Sequence, residues 1–169
     1  MRISYIIQEL SANQSIFKNQ LSGLDEVVYL WKPAVEKWCM LEIICHLLDE
    51  EVEDFRARTK QVLEDPKKAL PPIDPVGWVK HRKYIEQDFE ETLTHFMKER
   101  ANSLEWLQSV ESANWDNAYQ HPKFGPMSAK LFLSNWLAHD YLHIRQILYL
   151  KRGFHEATSE EPLAYAGNW

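Results

Sequence analysis

The chain has 169 residues, of which 45% are hydrophobic and 12% aromatic. This is enough apolar material for one folded domain, residues 1–169, and it excludes a disordered chain. The net charge of −6, without a cluster of basic residues, argues against a nucleic-acid-binding protein. Only five glycines are present, and long stretches contain neither glycine nor proline, so we expect an all-α fold.

The N-terminal sequence indicates where in the cell the protein is located, and the spacing of the cysteines indicates whether they form a disulfide. The carboxylate of Glu9 comes too early for a signal peptide, and no apolar run reaches the length of a membrane span. We therefore expect a cytoplasmic protein with no membrane partner. Cys39 and Cys45 are six residues apart on one predicted helix and would lie on different faces, so we expect no disulfide between them.

The first half of the chain predicts two helices. Apolar residues at helical spacing indicate a first helix over residues 3–21, which ends at Gly23. A second helix is predicted to begin between residues 35 and 38 and to end near Leu63.

A proline-rich connection separates the second helix from the third. Residues 65–75 contain four prolines, and this segment is longer than the roughly 2–8 residues that usually join antiparallel neighbours. Such a connection permits a crossover along the bundle, which would allow the two helices to run parallel. The third helix is predicted to run from Val76 or Trp78 to Val110.

The last third of the chain predicts a loop, a fourth helix and a tail. Residues 111–127 are irregular but rich in aromatic side chains, so we expect this loop to fold over one end of the bundle. Ser128 is the predicted N-cap of a helix that ends near residue 151 or 152 and is closed by Gly153. The apolar end of the tail, residues 163–169, should pack on the domain or on a second subunit.

Two histidines on the fourth helix suggest a metal site. His139 and His143 are four residues apart and share one helix face with the large apolar side chains of Trp136 and Leu150. A structural hydrogen bond would satisfy one inward-facing imidazole, whereas a divalent metal would satisfy both. His46, at the edge of the apolar stripe of the second helix, is the best third ligand.

Three neutral imidazoles with open positions are typical of a catalytic metal site rather than a closed structural one. Zn, Ni and Fe would each accept these ligands, and the sequence does not choose among them. The open positions would hold water or a substrate thiolate. The spacing lacks the glutamate of the H-E-x-x-H helix, which argues against that class of metalloprotease.

Two acidic residues lie about one turn beyond His46. Asp49 and Glu50 are candidate catalytic residues for orienting the metal's surroundings or for transferring a proton, and a plain acidic surface explains them equally well. Asp140, directly after the first histidine of the pair, has no assigned role. The other histidines are most simply solvated or loop residues, and these are His81, His95, His121 and His155.

Four short motifs, taken in order, resemble the DinB/YfiT-like superfamily. They are WCMLEIICHLLDEE at residues 38–51, FGPMS at 124–128, HDYLHIRQI at 139–147 and YAGNW at 165–169. The resemblance spans nearly the whole chain and implies a four-helix bundle with up-down-down-up topology, which agrees with the long crossover. It also implies a metal site at His46, His139 and His143, and members of the superfamily are often dimers.

The resemblance leaves the reaction open. Related proteins include thiol transferases that use low-molecular-weight thiols, a thiol-dependent isomerase and proteins described as metal-dependent hydrolases, so the fold alone transfers no single chemistry. We predict a metal-dependent thiol transferase or hydrolase that acts on a small electrophilic substrate. A low-molecular-weight thiol and a second copy of the chain are the expected partners. The alternative is a stress-associated metal-binding bundle without catalysis.

Overall fold

The computed structural model describes residues 2–167, and the predicted tail residues Asn168 and Trp169 lie outside this range. The α-helices are α1 (Ile3–Leu21), α2 (Glu26–Tyr29), α3 (Met40–Asp49), α4 (Ala57–Glu64), α5 (Pro75–His81), α6 (Phe89–Ser109) and α7 (Ala129–Thr158). A π-helical segment (Glu50–Arg56) joins α3 to α4, and short 3₁₀ turns span Tyr84–Glu86 and Leu163–Ala166. A small antiparallel sheet pairs β1 (Ala118–His121) with β2 (Gly125–Ser128).

Four long helical units pack as a bundle, and the rest of the chain connects or covers them. The units are α1, the continuous run from α3 through the π-helical segment to α4, α6 and α7. α1 packs against both α6 and α7, and the run from α3 to α4 packs against the same two helices. Within residues 2–167, no helix combines the length and the apolarity needed to cross a membrane.

The buried apolar side chains form two clusters, one around Phe96 and the other around Trp136. Between these clusters, every helical unit carries buried polar side chains. They are Asn13, His46, Glu50, Glu51, Arg100, Asp140 and His143. We refer to these residues as the polar layer. Burying so many polar groups lowers stability unless they find partners, so this layer marks the part of the bundle in which a site is expected.

The second helix begins at Met40, later than the predicted start between residues 35 and 38. The backbone N–H of Cys39 donates to the Oε2 atom of Glu42 at 2.9 Å. This contact satisfies a backbone donor at the helix terminus and fixes where the helix begins.

The predicted regular helix to Leu63 contains a π-helical segment that the sequence did not predict. This segment spans Glu50–Arg56, and α4 then continues to Glu64. In a π-helix each backbone hydrogen bond spans five residues instead of the four of an α-helix, which widens the turn. Both Glu50 and Glu51 are buried within it, so the wider turn coincides with the acidic part of the polar layer.

The prediction of one continuous third helix is wrong near its start. α5 ends at His81, and Lys83 adopts a left-handed conformation with a φ of 49°, which an α-helix cannot contain. α6 begins afresh at Phe89, where Asp88 accepts a hydrogen bond from the backbone N–H of Glu91 at 2.8 Å. This cap stabilises the new helix start.

The aromatic loop before the last helix contains a β-hairpin that was not predicted. Its register runs from Ala118 opposite Ser128 to His121 opposite Gly125. Gly125 has a φ of +72°, a conformation that glycine adopts without a steric cost. The hairpin contacts α4 and α7.

The last helix begins as predicted and ends later than predicted. Ser128 caps it by accepting a hydrogen bond from the backbone N–H of Leu131 at 3.0 Å. The helix does not stop at Gly153 but continues to Thr158. A Cβ atom at position 153 would lie 2.7 Å from the Trp31 ring. The need for glycine at position 153 is therefore explained by the close packing of the Trp31 ring, and not by the termination of the helix.

The described part of the tail does not pack tightly on the domain. Tyr165 is fully exposed and Leu163 is half-buried. Packing of the tail against a second subunit stays a prediction.

Candidate metal centre

The three predicted ligands come together at the polar layer, with His46 and His143 buried in it and His139 half-buried beside it. α3 carries His46, and consecutive turns of α7 carry His139 and His143. The Nε2 atom of His139 lies 3.1 Å from the Nε2 atom of His46 and 3.1 Å from the Nε2 atom of His143. Three ring nitrogens from two neighbouring helices therefore converge on one point.

The spacing of these nitrogens fits a shared divalent ion. One nitrogen from each of the three rings lies within 4.8 Å of the corresponding nitrogens of the other two rings. Tetrahedral zinc with Zn–N bonds of about 2.0–2.1 Å would place two ligand nitrogens about 3.3 Å apart. The observed 3.1 Å separations are close to that value.

The charge state of the rings also suits metal binding. Burial, followed by the neighbouring His143, lowers the pKa of His46 to about 3. Burial and the two other histidines lower the pKa of His139 to about 2. Burial lowers the pKa of His143 as well. All three imidazoles are therefore neutral at pH 7, which is the form that binds a metal.

A hydrogen bond sets the tautomer of His143. The Nδ1 atom of His143 lies 2.9 Å from the Oε1 atom of Gln146. Since this oxygen accepts, Nδ1 carries the proton and the lone pair of Nε2 points at the other two rings.

The surroundings of His46 and His139 are largely aromatic. The Trp38 ring lies 5.0 Å from the ring of His46, and the Phe55 ring lies 5.0 Å from the ring of His139. The Nδ1 atom of His46 is buried and has no hydrogen-bond partner within residues 2–167. Apolar walls of this kind strengthen electrostatic interactions within the site.

Asp49 points towards α5 and the turn that follows it. Its carboxylate accepts hydrogen bonds from the hydroxyl of Tyr84 and from Arg82, whose Nη1 atom lies 2.8 Å away. Burial raises the pKa of Asp49, and both partners oppose that effect. The described contacts of Asp49 thus involve Tyr84 and Arg82 rather than the histidines.

Glu50 lies one turn after His46, in the π-helical segment, and is only 4% exposed. Its Oε1 atom has no hydrogen-bond partner among the described residues. Burial raises the pKa of Glu50, and the neighbouring carboxylate of Asp54 raises it further. This buried carboxyl group therefore holds its proton to a higher pH than an exposed glutamate does.

Glu50→Gln is expected to stabilise the protein increasingly as the pH rises. A carboxyl group with a raised pKa in the folded state contributes stability below its unfolded pKa, and this contribution is lost as the pH rises through the folded value. Between pH 5 and pH 9, the advantage of Glu50→Gln over the wild type should grow by at least about 1 kcal/mol in urea unfolding. The exposed Glu64→Gln serves as the control. A Glu50→Gln advantage that does not change with pH would contradict the buried, proton-binding state of Glu50.

The centre of the polar layer is an ion-pair network that the sequence did not predict. Arg100, 1% exposed, donates to both carboxylate oxygens of Glu51 at 2.9 Å each and to Asp140 at 2.6 and 2.8 Å. Asn13 donates to Asp140 at 3.2 Å, and the Trp136 indole N–H donates to Glu51 at 3.0 Å. We refer to these five residues as the Arg100 network.

The Arg100 network gives Asp140 the role that sequence reasoning lacked. Asp140 is fully buried and adjoins His139 on α7, so its bonds to Arg100 fix the turn that carries this histidine. A signal for Arg100 was present in the sequence, because it lies four residues from both Phe96 and Leu104 on the apolar stripe of its helix. A cation at such a position requires a buried partner.

The network carries an excess negative charge beside the histidines. One guanidinium faces the two carboxylates of Glu51 and Asp140. Arg100 lowers the pKa of His139, whereas Asp140 raises that of His143, so the two charges of the network act on these rings in opposite directions.

The remaining histidines lie outside the cluster. The Nδ1 atom of His121 accepts hydrogen bonds from the backbone N–H groups of Lys123 and Phe124 at 3.1 and 3.2 Å, which stabilises the hairpin turn. The side chains of the others are exposed, and these are His81, His95 and His155.

Together these features define a helical bundle with a cluster of three histidines suited to a divalent metal. The family model of the DinB superfamily matches residues 9–147, which is most of the chain. The protein therefore belongs to the DinB superfamily, and the resemblance seen in the sequence motifs is confirmed.

A solved structure has a similar fold. YfiT from Bacillus subtilis aligns with a TM-score of 0.76 and 18% sequence identity, over 89% of this chain and 86% of that one. It is described as a probable metal-dependent hydrolase with an unusual four-helix bundle topology. At this level of identity the likeness establishes the fold, and it confirms the predicted four-helix bundle. No curated protein sequence matches the chain.

Proposed function

We propose that this protein is a metal-dependent enzyme in which His46, His139 and His143 hold a divalent ion beside a small electrophilic substrate. The observation that carries the proposal is the convergence of the three Nε2 atoms, with two separations of 3.1 Å. When bound, a divalent ion at three neutral imidazoles supplies a Lewis acid that lowers the pKa of a water molecule or a thiol. Zinc, nickel and iron all suit this set of ligands.

The cysteines of the chain do not supply the attacking group. The chain has two cysteines, and both are buried and free. Burial raises the pKa of Cys39, and it raises the pKa of Cys45 to about 12. Neither forms a thiolate at neutral pH, so neither is a nucleophile. The nucleophiles that we propose are water and a low-molecular-weight thiol, which correspond to a hydrolase and a thiol transferase.

We propose that Glu50 accepts the proton of the nucleophile. It is buried and lies one turn from His46, and its Oε1 atom has no hydrogen-bond partner among the described residues. The charged neighbours that act most on its pKa are Asp54 and Arg58. Its raised pKa suits a group that accepts and releases protons near neutral pH. Asp49 was the other predicted candidate. Because Tyr84 and Arg82 already bind its carboxylate, we propose for it the lesser role of holding the helix turn that precedes Glu50.

The bundle order that we propose is up-down-down-up, and residue pairings between helices support it. Leu10 and Gln14 of α1 contact Arg100 and Met97 of α6, so the numbers run in opposite directions. Glu51 and Arg56 contact Arg100 and Ser103, so these two units run in the same direction. This order places α3 and α7 as antiparallel neighbours, which brings His46 next to His139.

We propose a homodimer as the assembly. Two large apolar side chains of α7, Leu131 and Leu142, are 42% and 47% exposed. Burying such side chains against a second copy would remove apolar surface from water.

Activity assays with defined metal content test the function. Protein purified without an affinity tag would be stripped of metal and reloaded with zinc, nickel or iron. It would then be assayed with p-nitrophenyl acetate, and with 1-chloro-2,4-dinitrobenzene plus cysteine. We expect turnover that depends on the metal and falls at least about 100-fold in His139→Ala.

The matched control in these assays is His95→Ala, which removes an exposed imidazole on α6 and should keep full activity. Turnover with the ester alone would favour the hydrolase, and turnover that requires the thiol would favour the transferase. Metal binding without turnover in either assay would favour the non-catalytic metal-binding bundle over an enzyme.

A further inference from the structure

A groove lies directly behind two of the candidate ligands. It has a volume of about 520 Å³ and is formed by the turn before α3 and the outer part of α7. Its main lining residues are Pro33, Lys37, Trp38, Gln146, Tyr149 and Leu150. The volume lies within the range of about 300–1,000 Å³ that is typical of small-molecule sites.

Two residues of the groove also contact the histidine cluster. The Trp38 ring lies 5.0 Å from the His46 ring. The Oε1 atom of Gln146 accepts the hydrogen bond of His143 at 2.9 Å. A molecule in the groove would therefore be separated from the cluster by single side chains.

The lining combines aromatic surface with one positive charge. Tyr149 is 53% exposed, and Trp38 is half-buried, so both rings offer surface to a ligand. Lys37 is the one charged residue of the lining, and it forms no ion pair within residues 2–167. Rings beside an unpaired ammonium group complement a planar apolar molecule with an anionic substituent.

We propose that this groove binds the non-reacting part of the substrate, and that this part is a planar aromatic carboxylate. The inference rests on the proposed function in that it names the substrate class of the enzyme. The binding itself uses Lys37, Trp38 and Tyr149, and it requires no metal.

Calorimetric titration of the metal-free protein with 2-naphthoate tests the proposal, and neutral 2-naphthamide serves as the matched ligand. We expect saturable binding at one site, with the amide bound more weakly. Lys37→Gln should lower the affinity for naphthoate about fivefold and leave that for the amide unchanged. Tyr149→Ala should lower the affinity for both ligands about tenfold.

Tyr141→Ala provides the control on the same helix, since Tyr141 is also exposed but donates to Glu9 at 2.6 Å. It should leave both affinities unchanged. Absence of saturable naphthoate binding, or equal affinities in all three variants, would overturn the groove assignment even if the protein binds metal. If these affinities are as expected but the protein binds no metal, the result would support ligand binding in the groove and overturn the proposed function.

Discussion

Arg100→Leu is expected to lower the free energy of unfolding by about 3–5 kcal/mol. The substitution removes the one guanidinium that faces the buried carboxylates of Glu51 and Asp140. Both carboxylates would then remain in the interior without their counter-charge, which costs far more than the loss of an exposed ion pair. The loss is a large share of the roughly 5–15 kcal/mol that stabilises a typical domain. Urea unfolding at pH 7 measures it.

Arg82→Leu is the matched control for this prediction. Arg82 also contacts two carboxylates, those of Asp49 and Glu53, but its side chain is 34% exposed. Water screens such a pair, so we expect a loss of about 1 kcal/mol or less. Equal losses for the two variants would contradict the view that the Arg100 network is the main polar anchor of the bundle.

A third variant separates charge from hydrogen bonding and volume. Adding Glu51→Gln and Asp140→Asn to Arg100→Leu removes the uncompensated charges and keeps side chains of similar size. We expect this triple variant to be more stable than Arg100→Leu alone. If it is less stable, the loss comes from the hydrogen bonds and packing of the network rather than from buried charge.

The helical units could be predicted from the sequence wherever one apolar stripe continues through the element. This holds for α1 and α7, because an amphipathic helix buries a face that repeats every 3.6 residues. The interruption at Lys83 could not be predicted, since the charged residues around it suit an exposed helix face as well as a turn. The continuation past Gly153 was missed because its cause is a contact with Trp31, which is remote in the sequence.

The histidine cluster could be found because its evidence is local. The spacing of His139 and His143 on one helix indicates that they share a face. The position of His46 beside an apolar stripe indicates that it also points inward. The Arg100 network could not be assembled in the same way. The pairing of Arg100 with Asp140 depends on the register between α6 and α7, which periodicity does not determine.

The histidine cluster and the Arg100 network have different roles in the polar layer. The network satisfies its own hydrogen-bonding groups within the protein, because each carboxylate oxygen and each guanidinium nitrogen has a partner. The histidines point Nε2 atoms at one another, and three neutral rings cannot pair all of these atoms among themselves. The network should therefore determine the stability of the metal-free protein, and the histidines its response to metal.

His143→Ala is accordingly expected to abolish the stabilisation that a divalent metal gives to the fold. A ligand that binds only the folded state at about 1,000 times its Kd adds about 4 kcal/mol to the free energy of unfolding. The wild-type protein should gain this amount with saturating zinc and lose it with a chelator, whereas His143→Ala should respond to neither. Urea unfolding with and without zinc measures the difference.

His155→Ala is the control on the same helix, because His155 is exposed, and it should keep the full response to metal. Without metal, His143→Ala should lose much less stability than Arg100→Leu, since it leaves no buried charge unpaired. An equal zinc response in His143→Ala and the wild type would show that the metal binds elsewhere. A large loss in the metal-free His143→Ala protein would instead show that the ring is held for packing, and that the division between network and cluster is wrong.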